Sequence, residues 1–220
     1  MRNKSLRVNI GCGPNPIPGW LNFDNSLSVR LAAYPVVVPL MDRLGLLEEG
    51  NKRMIHISQE TPILWTDAAC SIPLPAGSVE VLYSSHMIEH LDREQAQSFL
   101  KEAHRVLRKG GIIRLVTPDL RKMAEEYIRH GDADELVAKT LLATPRPKSL
   151  REKIRFLLVG YRHHLWMYDG PSLARLLLEA GFSDAHVFGP GQTLLNEPAG
   201  LDLYERMDES VYVEGHKGAS

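Results

Sequence analysis

The sequence predicts an α/β fold: a seven-stranded, mostly parallel sheet with helices on both faces and small cap insertions. Three observations lead there. Strand-like runs alternate with helix-like runs along the chain, the pattern of parallel strands joined by crossovers. The first strand runs directly into a Gly-x-Gly turn, the kind of turn found where open parallel sheets bind ligands. The 220 residues, 44% hydrophobic and 24% charged, are enough for one sizeable domain of ordinary globular composition.

The strands are read in order as Arg7–Ile10, Leu21–Phe23, Ile63–Thr66, Val79–Ser84, Gly111–Thr117, Ala185–Phe188 and Val211–Glu214. The fifth is cut off by Pro118. Arg93–Leu107 places Ala96, Phe99, Leu100, Ala103, Val106 and Leu107 on one face at helical spacing, with Lys109-Gly110-Gly111 as its stop. Leu120–Arg129 and Ser172–Ala180 are further helices, the latter with Leu173, Leu176, Leu177 and Ala180 on one face and Gly181 after it. Two stretches exceed a minimal α/β unit. Residues 26–62 hold an apolar piece, Leu31–Leu47, broken by Pro35 and Pro39. Residues 132–165 hold a Pro-rich turn, Thr144–Lys148, and a basic helix-like piece, Leu150–Leu158. Long apolar insertions are read as caps over a site.

Charge and cysteine content exclude some partners. Lys+Arg 26 against Asp+Glu 27 leaves a net charge of −1, which gives no field for a polyanion, so nucleic acid is not expected. Two cysteines, Cys12 and Cys70, cannot build a disulfide framework and lack metal-ligand spacing. The polar start, Met1–Leu6, does not resemble a signal peptide, and the apolar run Val36–Leu40 is too short to span a bilayer. A cytoplasmic protein without membrane association is the expectation, and the composition is compatible with a homodimer.

Glycine lets Gly11-Cys12-Gly13 turn sharply and lie close to a ligand. Asp24, at the end of the next strand, can accept hydrogen bonds from both hydroxyls of a ribose. A dinucleotide site needs a third glycine, a helix start and an acid about 20 residues on. Here Pro14-Asn15-Pro16 stands in place of the helix start, and Asp24 arrives too early.

Ile10-Gly11-Cys12-Gly13 followed by Gly19-Trp20-Leu21-Asn22-Phe23-Asp24 resembles class I S-adenosylmethionine-dependent methyltransferases, in particular the short bacterial, type 11-like members. The resemblance covers most of Arg7–Val187 and implies a Rossmann-like sheet with S-adenosylmethionine as cofactor. It implies that Asn9, Gly11, Cys12 and Gly13 hold the methionine end and that Asp24 and Asn25 hold the ribose. Asp67 and Ala68, after the third strand, would contact the adenine, although Asp67 also fits a turn cap. Ser84-Ser85-His86-Met87-Ile88-Glu89-His90 resembles the family segment ending strand four, which places Ser84, Ser85 and His86 at the donor pocket. Glu89 and His90 fit a structural role as well as a catalytic one. The chain departs from the family between the first two strands, where the segment is too short and proline-rich for a full crossover helix.

Methyl transfer to a hydroxyl requires alignment, exclusion of water and an acceptor for the proton. His163 and His164 in Arg162-His163-His164-Leu165-Trp166-Met167-Tyr168-Asp169 are the candidate bases, with His86 a third and Asp169 or Glu89 as orienting partners. The alternative is that His164 and Trp166 pack the cap and Asp169 caps a helix beginning near Pro171. Asp119 is either an acceptor-side acid or a helix cap. Arg146, Lys148, Arg151, Lys153 and Arg155 form a solvated basic face or a contact for a charged acceptor. With no acid or cysteine at ligand spacing near His163 and His164, no metal is expected. The predicted function is methyl transfer to a small-molecule or saccharide acceptor, at a hydroxyl. The alternatives are a methyltransferase-like donor-binding protein or partner subunit without transfer activity and, more remotely, a nicotinamide-dependent oxidoreductase.

Overall fold

The computed structural model describes residues 6–143, 149, 153, 163–198 and 200–218. Seven strands form one sheet in the order β3-β2-β1-β4-β5-β7-β6. They are β1 (Leu6–Ile10), β2 (Leu21–Asp24), β3 (Ile63–Trp65), β4 (Val79–Ser85), β5 (Leu107–Pro118), β6 (His186–Phe188) and β7 (Ser210–His216). The strands from β3 across to β5 pair in parallel, and β7 runs antiparallel to both β5 and β6.

Helices α1 (Leu27–Ala32), α2 (Val37–Arg43) and α3 (Glu49–Glu60) fill the segment between β2 and β3. Asn51 of α3 donates to the Ser28 hydroxyl of α1 at 3.3 Å, and Val29, Met54 and Ile63 pack on Cys12. Much of this insertion is therefore the crossover between two parallel strands, seated on the sheet. Helix α2 buries none of its residues.

Helix α4 (Arg93–Val106) buries the predicted face of Ala96, Phe99, Leu100, Ala103 and Val106. Asp92 starts it with a capping box that includes Gln95. It ends earlier than the glycines suggested. Leu107 turns extended and pairs with Val79, so β5 begins four residues before the predicted Gly111. Gly110 has φ +70° and lies inside the irregular entrance of that strand. Helices α5 (Leu120–His130), α6 (Ala133–Thr140) and α7 (Gly170–Glu179) complete the described set. Asp169 caps α7 through the Ser172 N–H at 2.8 Å, and Asp119 caps α5 through the Arg121 N–H at 3.0 Å. The capping role weighed for each acid is thus realised. The Thr144–Lys148 turn, the Leu150–Leu158 piece and the basic stretch lie outside the described residues, apart from Ser149 and an exposed Lys153.

The two sheet faces are covered differently. Leu82, Ile113, Leu115 and Val213 pack under α4 and α7, with Phe99, Leu100, Leu173 and Leu177. The opposite face, with Val81, Tyr83, Val116 and Tyr212, is closed by Ile17, Trp20 and Leu195, which belong to turns and a loop. Helices on both faces were expected. Over this central patch, irregular chain does the covering, because the segment after β1 is too short to form a helix.

Candidate active site

The glycine turn predicted for the donor side is built on backbone geometry. Gly11 and Gly13 have φ +69° and +49°, conformations that a side chain would strain. A Cβ on Gly11 would lie 2.6 Å from Met87, so the residue after β1 must be bare for the β4 end to close on it. The Gly11 and Cys12 N–H groups both donate to the Phe23 carbonyl, at 2.8 and 3.1 Å. Asp24 then accepts from the Gly13 N–H at 3.0 Å and from the Ser26 N–H at 2.8 Å. Each of its oxygens keeps a further lone pair.

Asn22 replaces the missing helix as the support of this turn. Its amide accepts from the Ile17 N–H at 2.8 Å and donates to the Ile17 and Trp20 carbonyls at 3.0 and 3.1 Å. Asn9, 2% exposed, donates to Asn22 at 3.1 Å and so lies beneath the turn. Sequence reasoning missed Asn22. The available signal was an amide side chain in the middle of an otherwise apolar strand.

The other residues predicted for the donor side lie near the carboxyl ends of the strands. Cys12 is buried, and burial followed by the charge of Asp24 pushes its thiol up to about 12, which leaves it protonated and unreactive. Asn25 is exposed, and its carbonyl accepts from the Trp65 indole at 3.0 Å. Asp67 accepts from the Ala69 N–H at 3.1 Å in a turn, and Ala68 is buried in the core. The Ser26 and Ser84 hydroxyls are buried without a hydrogen-bond partner. The position of a Cβ on Gly13 opens onto empty space. Spare carboxylate lone pairs, unpaired hydroxyls and an open backbone turn fit a polar ligand carrying hydroxyl and amino groups.

Past β4 the chain places a carboxylate among histidines. Glu89 is fully buried, and one of its oxygens accepts from Thr117 at 3.1 Å. The other lies 3.3 Å from His86 Nδ1 and 4.0 Å from His164 Nε2. Burial raises the carboxyl, but the adjacent His86 outweighs it and holds Glu89 below the usual carboxylate range. His86 has φ +48°, a strained conformation for a residue with a side chain, and its Nε2 is 3.1 Å from the Ser210 hydroxyl. His164 Nδ1 bonds the Thr140 carbonyl at 2.8 Å, and burial lowers its pKa, so the ring is neutral. The His163 carbonyl accepts from His90 Nδ1 at 3.0 Å. The rings of His90 and His164 meet edge to face, 5.0 Å apart. Thus His86 and His164 converge on Glu89, and the pair that meets in space is His90 with His164, not the adjacent His163 and His164.

The carboxylate–histidine cluster and the glycine turn lie together at the carboxyl ends of β1, β4 and β5, where open parallel sheets bind ligands. Residues 46–115 match the family described as "Methyltransferase domain". No curated protein matches the chain in sequence. Among solved structures, an S-adenosylmethionine-dependent methyltransferase from Methanosarcina mazei superposes with a TM-score of 0.55 at 13% identity, covering 100% of this chain and 95% of that one. Another, a possible histamine N-methyltransferase from Thermotoga maritima, gives a TM-score of 0.51 at 20% identity, covering 96% and 81%. The superpositions show that the chain has the fold of S-adenosylmethionine-dependent methyltransferases, and the sequence match over residues 46–115 points to the same family. No helix among the described residues is long and apolar enough to cross a membrane.

Proposed function

We propose that this enzyme methylates a hydroxyl of a small-molecule or saccharide acceptor, with His86 taking the proton. The observation that carries the reading is the contact of His86 with the buried carboxylate of Glu89, at the end of β4 and beside the glycine turn. The bound donor supplies a methyl group already activated on a sulfonium. The turn Gly11–Gly13 would hold its methionine end, Asp24 and Asn25 its ribose, Asp67 and Ala68 its adenine, and Ser84 and Ser85 would offer hydroxyls nearby. Asn9 acts through Asn22, by fixing the turn. Glu89 holds His86 in position and stabilises the imidazolium formed when the acceptor loses its proton. His86 ranks ahead of His164 because it lies nearer to Glu89 and follows directly on β4.

His86→Asn tests this assignment, because asparagine tolerates the left-handed backbone and removes the base. Turnover, read as S-adenosylhomocysteine release over a panel of hydroxylated acceptors, should fall by about 10²–10⁴-fold. Donor affinity by calorimetry should stay within a few-fold. If His86→Asn keeps full turnover while His164→Ala loses it, the proton goes to His164 instead. If the chain binds NAD and neither adenosyl ligand, the donor reading fails as well.

A further inference from the structure

We infer that Glu89, His90 and His164 form a site for a divalent transition-metal ion with two nitrogen ligands and one oxygen ligand. Each residue can offer one ligand atom, and the three atoms lie within 4.8 Å of one another. A buried Glu–His–His group could simply be a packed ion pair, but the hydrogen bonds argue otherwise. Both histidines commit Nδ1 to a backbone carbonyl, His90 to His163 at 3.0 Å and His164 to Thr140 at 2.8 Å. That fixes the proton on Nδ1 and leaves the lone pair of Nε2 free, the tautomer a metal ligand needs. Glu89 is anchored in the same way. Thr117 holds one oxygen, and the other is buried with only a long contact to His86 Nδ1 at 3.3 Å and no well-formed hydrogen bond.

At 4.0 Å, the distance from His164 Nε2 to that oxygen is too long for a hydrogen bond. With only the long His86 contact on it, this buried anionic oxygen is under-satisfied, and a cation between it and the two nitrogens would satisfy all three groups. Every ligand thus already has the orienting partner that metal sites place behind their ligands. Zinc bonds of about 2.0–2.2 Å would draw the ligand atoms to roughly 3.4 Å apart, so binding tightens the trio. Two histidines and one carboxylate suit zinc and its neighbours over magnesium or calcium, which prefer all-oxygen sets. Three protein ligands leave a coordination position for water or, on the acceptor reading above, for the acceptor oxygen.

The test is titration of chelator-stripped full-length protein with Co²⁺ and Zn²⁺. One equivalent of Co²⁺ should bind and give visible absorption bands, and Zn²⁺ should displace it and raise Tm. Glu89→Gln and His164→Ala should each weaken binding by more than about 100-fold, and Thr117→Val by about 10–100-fold, as expected when an orienting partner is lost. His56→Ala, at an exposed histidine beside Glu60, should leave binding unchanged. If a buried variant unfolds, His90→Gln at the less buried ligand decides by the same readout. No stoichiometric binding, or binding that survives the ligand variants while they remain folded, overturns the site. Because none of these readouts uses turnover, the metal inference can fail while the His86 assignment stands, and the reverse.

Discussion

Asp24 fastens the glycine turn and, in the proposed donor site, also binds the ribose. Its carboxylate accepts from the Gly13 and Ser26 N–H groups and still has lone pairs for a ribose. Hydrogen bonds to a charged acceptor contribute about 1.5–3 kcal/mol each. Asp24→Ala should therefore weaken S-adenosylmethionine and S-adenosylhomocysteine binding by roughly 10²-fold or more by calorimetry, through lost ribose contacts and a loosened turn. Affinity within a few-fold of the parent would place the ribose elsewhere. Asp24 and the glycines were readable in the sequence because their chemistry is local: a bare backbone, and an acid at a strand end. The Glu89 cluster was only half readable. Glu89 and His90 are neighbours in the chain, but His164 reaches them from far downstream, and only the fold shows that the acid missing beside the histidine pair is Glu89.

At the scale of elements, periodicity located α4, β4 and α7 well because each buries a regular face. It failed where pairing overrode local signals. The stop at Lys109-Gly110-Gly111 is a plausible helix end, yet Leu107 leaves the helix to pair with Val79, and the left-handed Gly110 falls inside the strand. The cap of α7 has a measurable consequence. Asp169 accepts from the Ser172 N–H, and this bond, with Arg121 nearby, holds its carboxyl below the usual range despite some burial. A depressed acid contributes stability that is fully present above its unfolded pKa of about 3.9 and is lost as pH falls through its lower folded value. Asp169→Ala should cost about 1 kcal/mol near neutrality. The gap to the parent in urea unfolding should narrow below about pH 4. A gap that stays constant down to pH 2 would show that the charge on Asp169 is not what stabilises the cap.

Across the whole molecule, the covering of the second sheet face depends on a buried ion pair. Arg114 of β5 and Glu214 of β7 are both fully buried and bonded to each other, and Arg114 lies over the Tyr212 ring at 5.1 Å. The same two side chains anchor the loop that closes this face. Arg114 donates to the Gln192 carbonyl at 3.0 Å, while Glu214 accepts from the Thr193 hydroxyl at 2.7 Å and the Leu194 N–H at 2.6 Å. The loop then places Leu195 against Tyr83 and Val116, where a helix would pack in a sheet with longer crossovers. Removing one member leaves an uncompensated buried charge, which costs about 3–5 kcal/mol. Arg114→Met and Glu214→Leu should each lower the urea midpoint by that measure. In many buried pairs, the double apolar replacement restores stability. Here it should recover only part, because Leu194 and Thr193 would still lack their acceptor, at about 1–3 kcal/mol for each buried group left unpaired. Full recovery in Arg114→Met/Glu214→Leu would mean the loop is held by its apolar contacts alone. A double variant midway between parent and singles would show that the pair fastens the loop as well as joining the strands.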